Sequence, residues 1–440
     1  MLVACSFIFI TFVLFGCAPA SSTGPTTSEI QLPSKPTNVN AVSARTLLYQ
    51  SDSRVSYCEI LNNDNGSYSG FNDMQLEPLA SLSKVITSAW VIEVLGMDYR
   101  FKDEWFLKPV AGQPGMFDAY LRTNYDPVIN IEKLLYFLSE LRSMGVKGIR
   151  ELTIDETTRI YIGVLTLPHA EVKVNPVASS ETADNLKLIL NSKNWASRTI
   201  KAKEHIMQWA VNNGGKNILV PDSFSVEQIF VKEAKEIDQK NYPIHKTLLS
   251  APLFKYLKNM NVNSNNYMAD AFFNLLGGAE PFLNFQKTKL KLNPSDMQIY
   301  TGSGLAFKQN DQRYDNVGSC FSYLTVLSYI RQLAAKAQMN LGHIMLNPTT
   351  DKDGTFDDKP EYNNAVVLKT GRLFDNPALN LAGFVATEKG MLSFVFLGHD
   401  FTATEAKKID NMRTEMLGQI YNHFSTSSDF KTLNEFEIFF

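Results

Sequence analysis

The chain has 440 residues, with 42 Lys and Arg against 45 Asp and Glu, giving a formal net charge of −3 and a pI near 6.1. Hydrophobic residues make up 44% and charged residues 20%, the balance of a globular protein that buries a sizeable core without needing staples. The slightly acidic balance gives no sign of a nucleic-acid partner, which would favour a basic chain. The length predicts about two or three domains.

Residues 3–16 are almost wholly apolar and end at Cys17. Such a run is short of the ~20 residues that span a bilayer, and reads as the core of a secretory signal over residues 1–17. Leu14-Phe15-Gly16-Cys17 resembles a bacterial lipobox, which would make Cys17 a lipid attachment point and anchor the protein to a membrane. Phe15 is bulky for that motif, and no Lys or Arg precedes the run. An ordinary signal peptide and a buried N-terminal helix are the alternatives. Residues 18–40, rich in Ser, Thr and Pro, read as a linker. Besides Cys5 and Cys17 only Cys58 and Cys320 remain. The preferred reading is two buried free thiols; pairing in an oxidising compartment is the other.

Residues 55–61 suit a strand. After Pro78, residues 80–92 carry apolar side chains at Val85, Ala89 and Ile92, a helical spacing with one buried face, and Gly96 marks its stop. Residues 99–246 are mixed and read as a separate inserted domain. They hold a helix at about 131–144, a strand-like run at 160–167 and a turn at Asn212-Asn213-Gly214-Gly215. Helices follow at 253–257 and 267–276. Residues 364–368 form an apolar strand ended by Lys369. Residues 380–387 and 391–397 form a hairpin about Glu388-Lys389-Gly390. Residues 404–424 form an amphipathic helix.

Three short motifs occur in order: Ser81-Leu82-Ser83-Lys84, Ser264-Asn265-Asn266 and Lys369-Thr370-Gly371. They match the S-x-x-K, S-x-N and K-T-G set of penicillin-binding proteins and serine β-lactamases. S-x-x-K recurs at Ser428–Lys431 and S-x-N at Ser192-Lys193-Asn194, so setting discriminates. Ser81 opens a helix, Ser264 falls between two helices, and Lys369 ends a strand. Residues i and i+3 share a helix face, so Lys84 stands one turn from Ser81. A serine hydroxyl needs an adjacent base, and a lysine serves only if burial or a neighbouring cation, here Lys369, depresses its pKa. Ser264 would relay a proton to the leaving amine, and Asn266 would hold a substrate amide. Lys369 and Thr370 would bind a terminal carboxylate. Gly371 would let the strand approach the substrate, and the N–H of Arg372 would complete an oxyanion hole. Taken singly, each has a plain alternative: Ser81 or Asn266 as a helix cap, Ser264 as a turn residue, the three cations as solvated surface charges.

Three stretches resemble the class C low-molecular-mass penicillin-binding proteins, which are D-Ala-D-Ala carboxypeptidases and endopeptidases. They are Leu79–Lys84; Ser250-Ala251-Pro252-Leu253 leading to Ser264–Asp270; and Gly302-Ser303-Gly304-Leu305 followed by Asp353-Gly354-Thr355 and Lys369-Thr370-Gly371. The resemblance covers about residues 45–400. It implies an α+β fold, a β-lactamase/DD-peptidase-like antiparallel sheet flanked by helices, built from residues 41–98 and 247–440. The inserted, mixed, β-rich domain would occupy 99–246. It implies peptidoglycan peptides ending in D-Ala-D-Ala as substrates, β-lactams as covalent inhibitors, and a periplasmic or cell-envelope location. Two positions depart from the family: Thr301 stands where Asp usually precedes Gly-Ser-Gly-Leu, and Arg372 replaces a small polar residue. A Ser-His-Asp hydrolase has no G-x-S-x-G elbow here. His169, His205, His245, His343, His399 and His423 show no zinc spacing, and no metal or cofactor is expected. A non-catalytic wall-binding lipoprotein of the same fold and a β-lactamase are the rival readings.

Overall fold

Strand-forming sequences from opposite ends of the chain combine into one sheet. The computed structural model describes residues 32–34, 52–63, 67–158, 160–161, 174–175, 180–212, 218–352 and 354–431. In chain order the first elements are β1 (Val55–Leu61), β2 (Ser69–Phe71), β3 (Glu77–Pro78), α1 (Ser83–Leu95), β4 (Lys102–Pro109), β5 (Met116–Arg122), α2 (Ile131–Ser143) and β6 (Gly148–Ile154). Next come β7 (Ile160–Tyr161), β8 (Val174–Asn175), α3 (Ser180–Leu190), α4 (Ser197–Asn212), β9 (Val226–Val231), β10 (Ile244–Leu249), α5 (Leu253–Val262), α6 (Asn266–Leu275) and α7 (Ala279–Thr288). The last are β11 (Met297–Gln298), β12 (Phe307–Gln309), β13 (Gln312–Tyr314), β14 (Val317–Gly318), α8 (Cys320–Lys336), β15 (Val366–Leu373), β16 (Ala378–Thr387), β17 (Gly390–His399) and α9 (Ala406–His423).

The first sheet runs β15-β16-β17-β1-β2 and is antiparallel throughout. Strands β16 and β17 are buried along nearly their whole length, because α8 covers one face and α9 the other. The apolar side chains of α9, Ile409, Met416, Leu417 and Ile420, join Leu379, Leu381, Phe394 and Phe396 in one core. The second sheet runs β10-β4-β5-β6-β9 and is mixed: β6 pairs in parallel with both β5 and β9, the other pairs being antiparallel. Helices α2, α3 and α4 cover it and share its core with Trp105, Leu121, Ile149 and Leu152. Buried Lys133 of α2 pairs with Asp103 at 2.8 Å and with Asp126, and Tyr256 of α5 also donates to Asp126. This cluster ties the second sheet to the segment that leads to Ser264.

The structure differs from four of these expectations. First, Cys58 and Cys320 are joined in a disulfide with Cα atoms 5.9 Å apart, rather than being free thiols. Strand β1 faces the first residue of α8, a spacing suited to the bond. Second, Ser81 lies in a 3₁₀ turn, Ala80–Leu82, and the α-helix begins at Ser83. Third, α1 is buried from Ser83 to Ile92 on every side, because α5, α6 and α8 surround it. Fourth, Lys369 sits inside β15, which pairs with β16 as far as Leu373. The polar run Lys-Thr-Gly-Arg ended the apolar pattern, but the backbone ladder does not depend on it. The predicted helices at 131–144, 253–257 and 267–276 are present, as are the hairpin and the C-terminal helix. The signal and Cys17, the linker except 32–34, residues 162–167 of the strand-like run, Asn213–Gly215, His169 and Asp353 lie outside the described residues.

Candidate active site

The nucleophile candidate sits on a tightly wedged turn. Ala80, just before Ser81, has φ +48°, an uncommon conformation for a residue with a Cβ. The turn is held there from three sides. The N–H of Leu79 donates to Asn316 O at 2.9 Å. A Cβ on Gly304, itself at φ +84°, would lie 1.9 Å from Ala80 O. A Cβ on Gly371 would lie 3.0 Å from Leu79 O. Two glycines therefore let a loop and strand β15 close on the turn.

Lys84 is fully buried one turn further along. Its Nζ lies 2.8 Å from Ser81 Oγ, 2.7 Å from Asn266 Oδ1 and 2.9 Å from Ser303 O. Burial pulls its pKa down from 10.5 to about 7, with Asp270 acting in the other direction. Asn266 is free for this contact because Asn265 caps α6, accepting from Met268 N at 3.0 Å. Ser264, in the connection between α5 and α6, takes φ +51° and accepts a hydrogen bond from Lys369 Nζ at 3.1 Å. Lys369 is also fully buried, and burial, Lys84 and Arg413 together push it well below the usual lysine value. Thr370 donates to Thr355 Oγ1 at 2.7 Å. Arg372 is exposed, its guanidinium 4.5 Å from the ring centroid of Phe374, which is 75% exposed. The three segments thus converge: Ser81 and Lys84, Asn266, and the Ser264–Lys369 pair form one cluster. The second S-x-x-K, at Ser428–Lys431, lies beyond α9 and has no part in it, and neither does Ser192–Asn194.

The sequence matches the model of the D-Ala-D-Ala carboxypeptidase 3 (S13) family over residues 56–160 and 225–419. The chain belongs to that family. The S13 match spans both sheets and all three motifs and leaves out residues 161–224, where α3 and α4 lie. A curated relative, a D-alanyl-D-alanine carboxypeptidase of Actinomadura sp. (strain R39), is 31% identical over 146 residues. That match spans only 27% of either chain. Among solved structures, the Bd3459 predatory endopeptidase of Bdellovibrio bacteriovorus superposes with a TM-score of 0.76 at 25% identity, covering 87% of this chain and 96% of that one. The same endopeptidase has been solved acylated by penicillin G. Penicillin-binding protein 4 of Haemophilus influenzae shares the fold, with a TM-score of 0.52 at 19% identity over 86% of this chain and all of that one.

Of the two positions that depart from the resemblance, Thr301 has a local explanation. Thr301 Oγ1 accepts from Gly304 N at 3.2 Å and donates to Leu305 O at 2.7 Å, so its hydroxyl closes the Gly-Ser-Gly loop. Nothing in the structure requires Arg372 beyond its stacking on Phe374. Asn316 went unnoticed in the sequence. Buried, it donates to Ser83 Oγ at 2.9 Å and Thr301 O at 2.7 Å, and accepts from Tyr300 N at 2.8 Å. It thereby binds the nucleophile's helix to the loop that receives Lys84. A lone Asn in a polar stretch carries no periodic or motif signal.

Proposed function

We propose that the chain is a serine DD-peptidase, a D-Ala-D-Ala carboxypeptidase with or without endopeptidase action on peptidoglycan stem peptides, working through an acyl-enzyme on Ser81. The observation that carries this is the hydrogen-bond count at Lys84. A charged ammonium has three donors for three partners. A neutral amine has two donors and one lone pair. Asn266 Oδ1 and Ser303 O can only accept, so on deprotonation the lone pair faces Ser81 Oγ. Burial brings that deprotonation close to neutral pH.

In this reading Ser81 Oγ attacks the carbonyl carbon of the penultimate D-Ala while its proton passes to Lys84 Nζ. Backbone N–H groups of Ser81 and Arg372 hold the oxyanion. The C–N bond breaks as Ser264 Oγ gives its proton to the leaving amine and is reprotonated from the adjoining lysines. Lys369 and Thr370 hold the terminal carboxylate, and Asn266 the substrate amide. Gly371 keeps β15 close to the nucleophile's turn. Arg372, exposed at the rim beside Phe374, offers a second cation to an anionic peptide. Water then hydrolyses the ester. β-Lactams would esterify the same hydroxyl, as penicillin G does in the Bdellovibrio endopeptidase.

Residues 99–246 serve in this reading as a domain inserted between 41–98 and 247–440. Activity on the cell wall requires a location outside the cytoplasm, and the disulfide suits an oxidising compartment. Residues 1–17 would act as a signal, with Cys17 as a lipid anchor and periplasmic or envelope placement; Cys17→Ser should then release the protein from the membrane fraction. Among the described residues no helix is long and apolar enough to cross a membrane.

Labelling with a fluorescent penicillin tests the activity. Stable label on the native protein that is lost in Ser81→Ala, together with D-alanine release from a pentapeptide, is the expected result. No label would favour a wall-binding protein, and rapid turnover of the label a β-lactamase.

A further inference from the structure

We propose that Asp270 is a positioning residue for Lys84: it fixes the Ser303 carbonyl that orients the amine toward Ser81, and its charge raises the pH at which that amine becomes a base. This rests on reading Lys84 as the base that activates Ser81.

The Ser303 carbonyl is one of only two fixed acceptors at Lys84, and it belongs to a loop with little freedom. The peptide before Ser303 is clamped at both ends. Thr87 Oγ1 donates to Gly302 O at 2.9 Å, and Ser303 N donates to Asp270 Oδ1 at 2.8 Å. The following peptide is clamped as well, with its carbonyl on Lys84 and its Gly304 N–H on Thr301. A Cβ on Gly302 would lie 2.2 Å from Ala269 O, so the loop lies directly against α6, the helix that carries Asp270. The Asp270 carboxylate thus grips the N–H of the same residue whose C=O grips Lys84. Turning Ser303 to satisfy another partner would break both contacts at once.

Position alone would be served by any acceptor. Charge adds a second effect. The titratable groups that face Lys84 are Asp270 on α6 and Lys369 on β15. Asp270 favours the Lys84 ammonium, and Lys84 in turn pushes Lys369 down. Burial pushes Asp270 itself upward, while its bonds to Ser303 and Gly302 and the charge of Lys84 draw it back. The two lysines are therefore not equivalent: Lys84 has a half-buried carboxylate nearby, whereas the cations named above only lower Lys369.

Asp270→Asn separates the two effects, because its amide oxygen still accepts from Ser303 N while the charge is gone. The rate of acylation by a fluorescent penicillin is followed across its acid limb, beside the thermal midpoint. The expected result is a limb moved to lower pH by about one unit, a roughly tenfold gain well below the native midpoint relative to each protein's own plateau. Asp270→Ala, which also loses the clamp, is expected to lower the plateau by ~10–100-fold. Thr87→Val removes the Gly302 clamp, together with a longer bond from the same hydroxyl to Ser83 O, without touching Asp270, and should lower the plateau with the limb in place. Should Asp270→Asn not fold, Asp270→Glu keeps the charge and should hold the limb near its native pH. A limb unmoved in folded Asp270→Asn, moved equally in Thr87→Val, or displaced in Asp270→Glu overturns the proposal. Native protein that takes up no label at any pH sinks the Ser81–Lys84 reading itself; native protein that labels, with a limb Asp270→Asn leaves alone, sinks only the role of Asp270.

Discussion

Lys84 is the residue on which pH should act. Its ordinary value of 10.5 falls to about 7 in the folded protein, so the amine is charged below pH 7 and neutral above it. Acylation is expected to rise with pH through about 7 and then level off, and Lys84→Met should lose ~10²–10⁴-fold in acylation rate. A flat profile across that range would refute the role. The same shift has a sign for stability. Between about pH 7 and 10.5 the unfolded chain holds a proton that the folded chain has released, so stability from this group rises with pH across that window. The catalytic candidates were legible because each belongs to a short motif of fixed spacing. Asn316, Asp270 and Ser303 O were not read as members of the site. Their contacts join residues far apart in the chain, such as Asn316 with Ser83, and no local pattern encodes them. Asn265 and Asn266 show the limit of reading neighbours: the first caps α6 and the second meets Lys84, and only the backbone turn at Ser264 decides which does which.

At the level of elements, the site is a meeting of a turn, a loop and a strand, and glycine sets how closely they meet. Gly304→Ala would place a methyl 1.9 Å from Ala80 O in a backbone at φ +84°. Backbone strain alone costs roughly 1–3 kcal/mol, and relieving the clash must move the turn that carries Ser81. A lower denaturant midpoint and at least tenfold slower acylation are expected; native-like acylation in that variant would show that the turn tolerates displacement. Elements whose residues interact locally were readable in advance. The β16–β17 hairpin announced itself by apolar runs about a short turn, and α1 by the spacing of Val85, Ala89 and Ile92. The second sheet was legible only as a mixed region. Its parallel neighbours β6 and β9 are separated by two helices, and such pairing leaves no mark in either strand alone. Strand β15 was cut short for the opposite reason, because its polar residues face a site rather than a core.

For the molecule as a whole, the disulfide is the main departure from the sequence reading. It joins residues 262 positions apart and so restrains the unfolded chain around nearly everything between. Removing it costs roughly 2–5 kcal/mol. The double variant Cys58→Ser, Cys320→Ser should unfold at lower urea concentration while still labelling on Ser81 in native buffer. An unchanged midpoint would show that core packing alone holds β1 against α8. The α+β fold class was legible through the resemblance carried by the three motifs, whereas the pairing of two cysteines depends on which strand and helix happen to face each other. The order β15-β16-β17-β1-β2 also bears on how the protein comes into being. The earliest strand lies between one of the earliest and the very last, so it must wait for nearly the whole polypeptide before it finds its central partner. An unfinished chain carries Ser81 but lacks Asn316, Gly304 and Gly371, which hold its turn, and lacks the β16–β17 hairpin beside them. The Ser264–Lys369 pair likewise cannot form until β15 has been made and has joined β16.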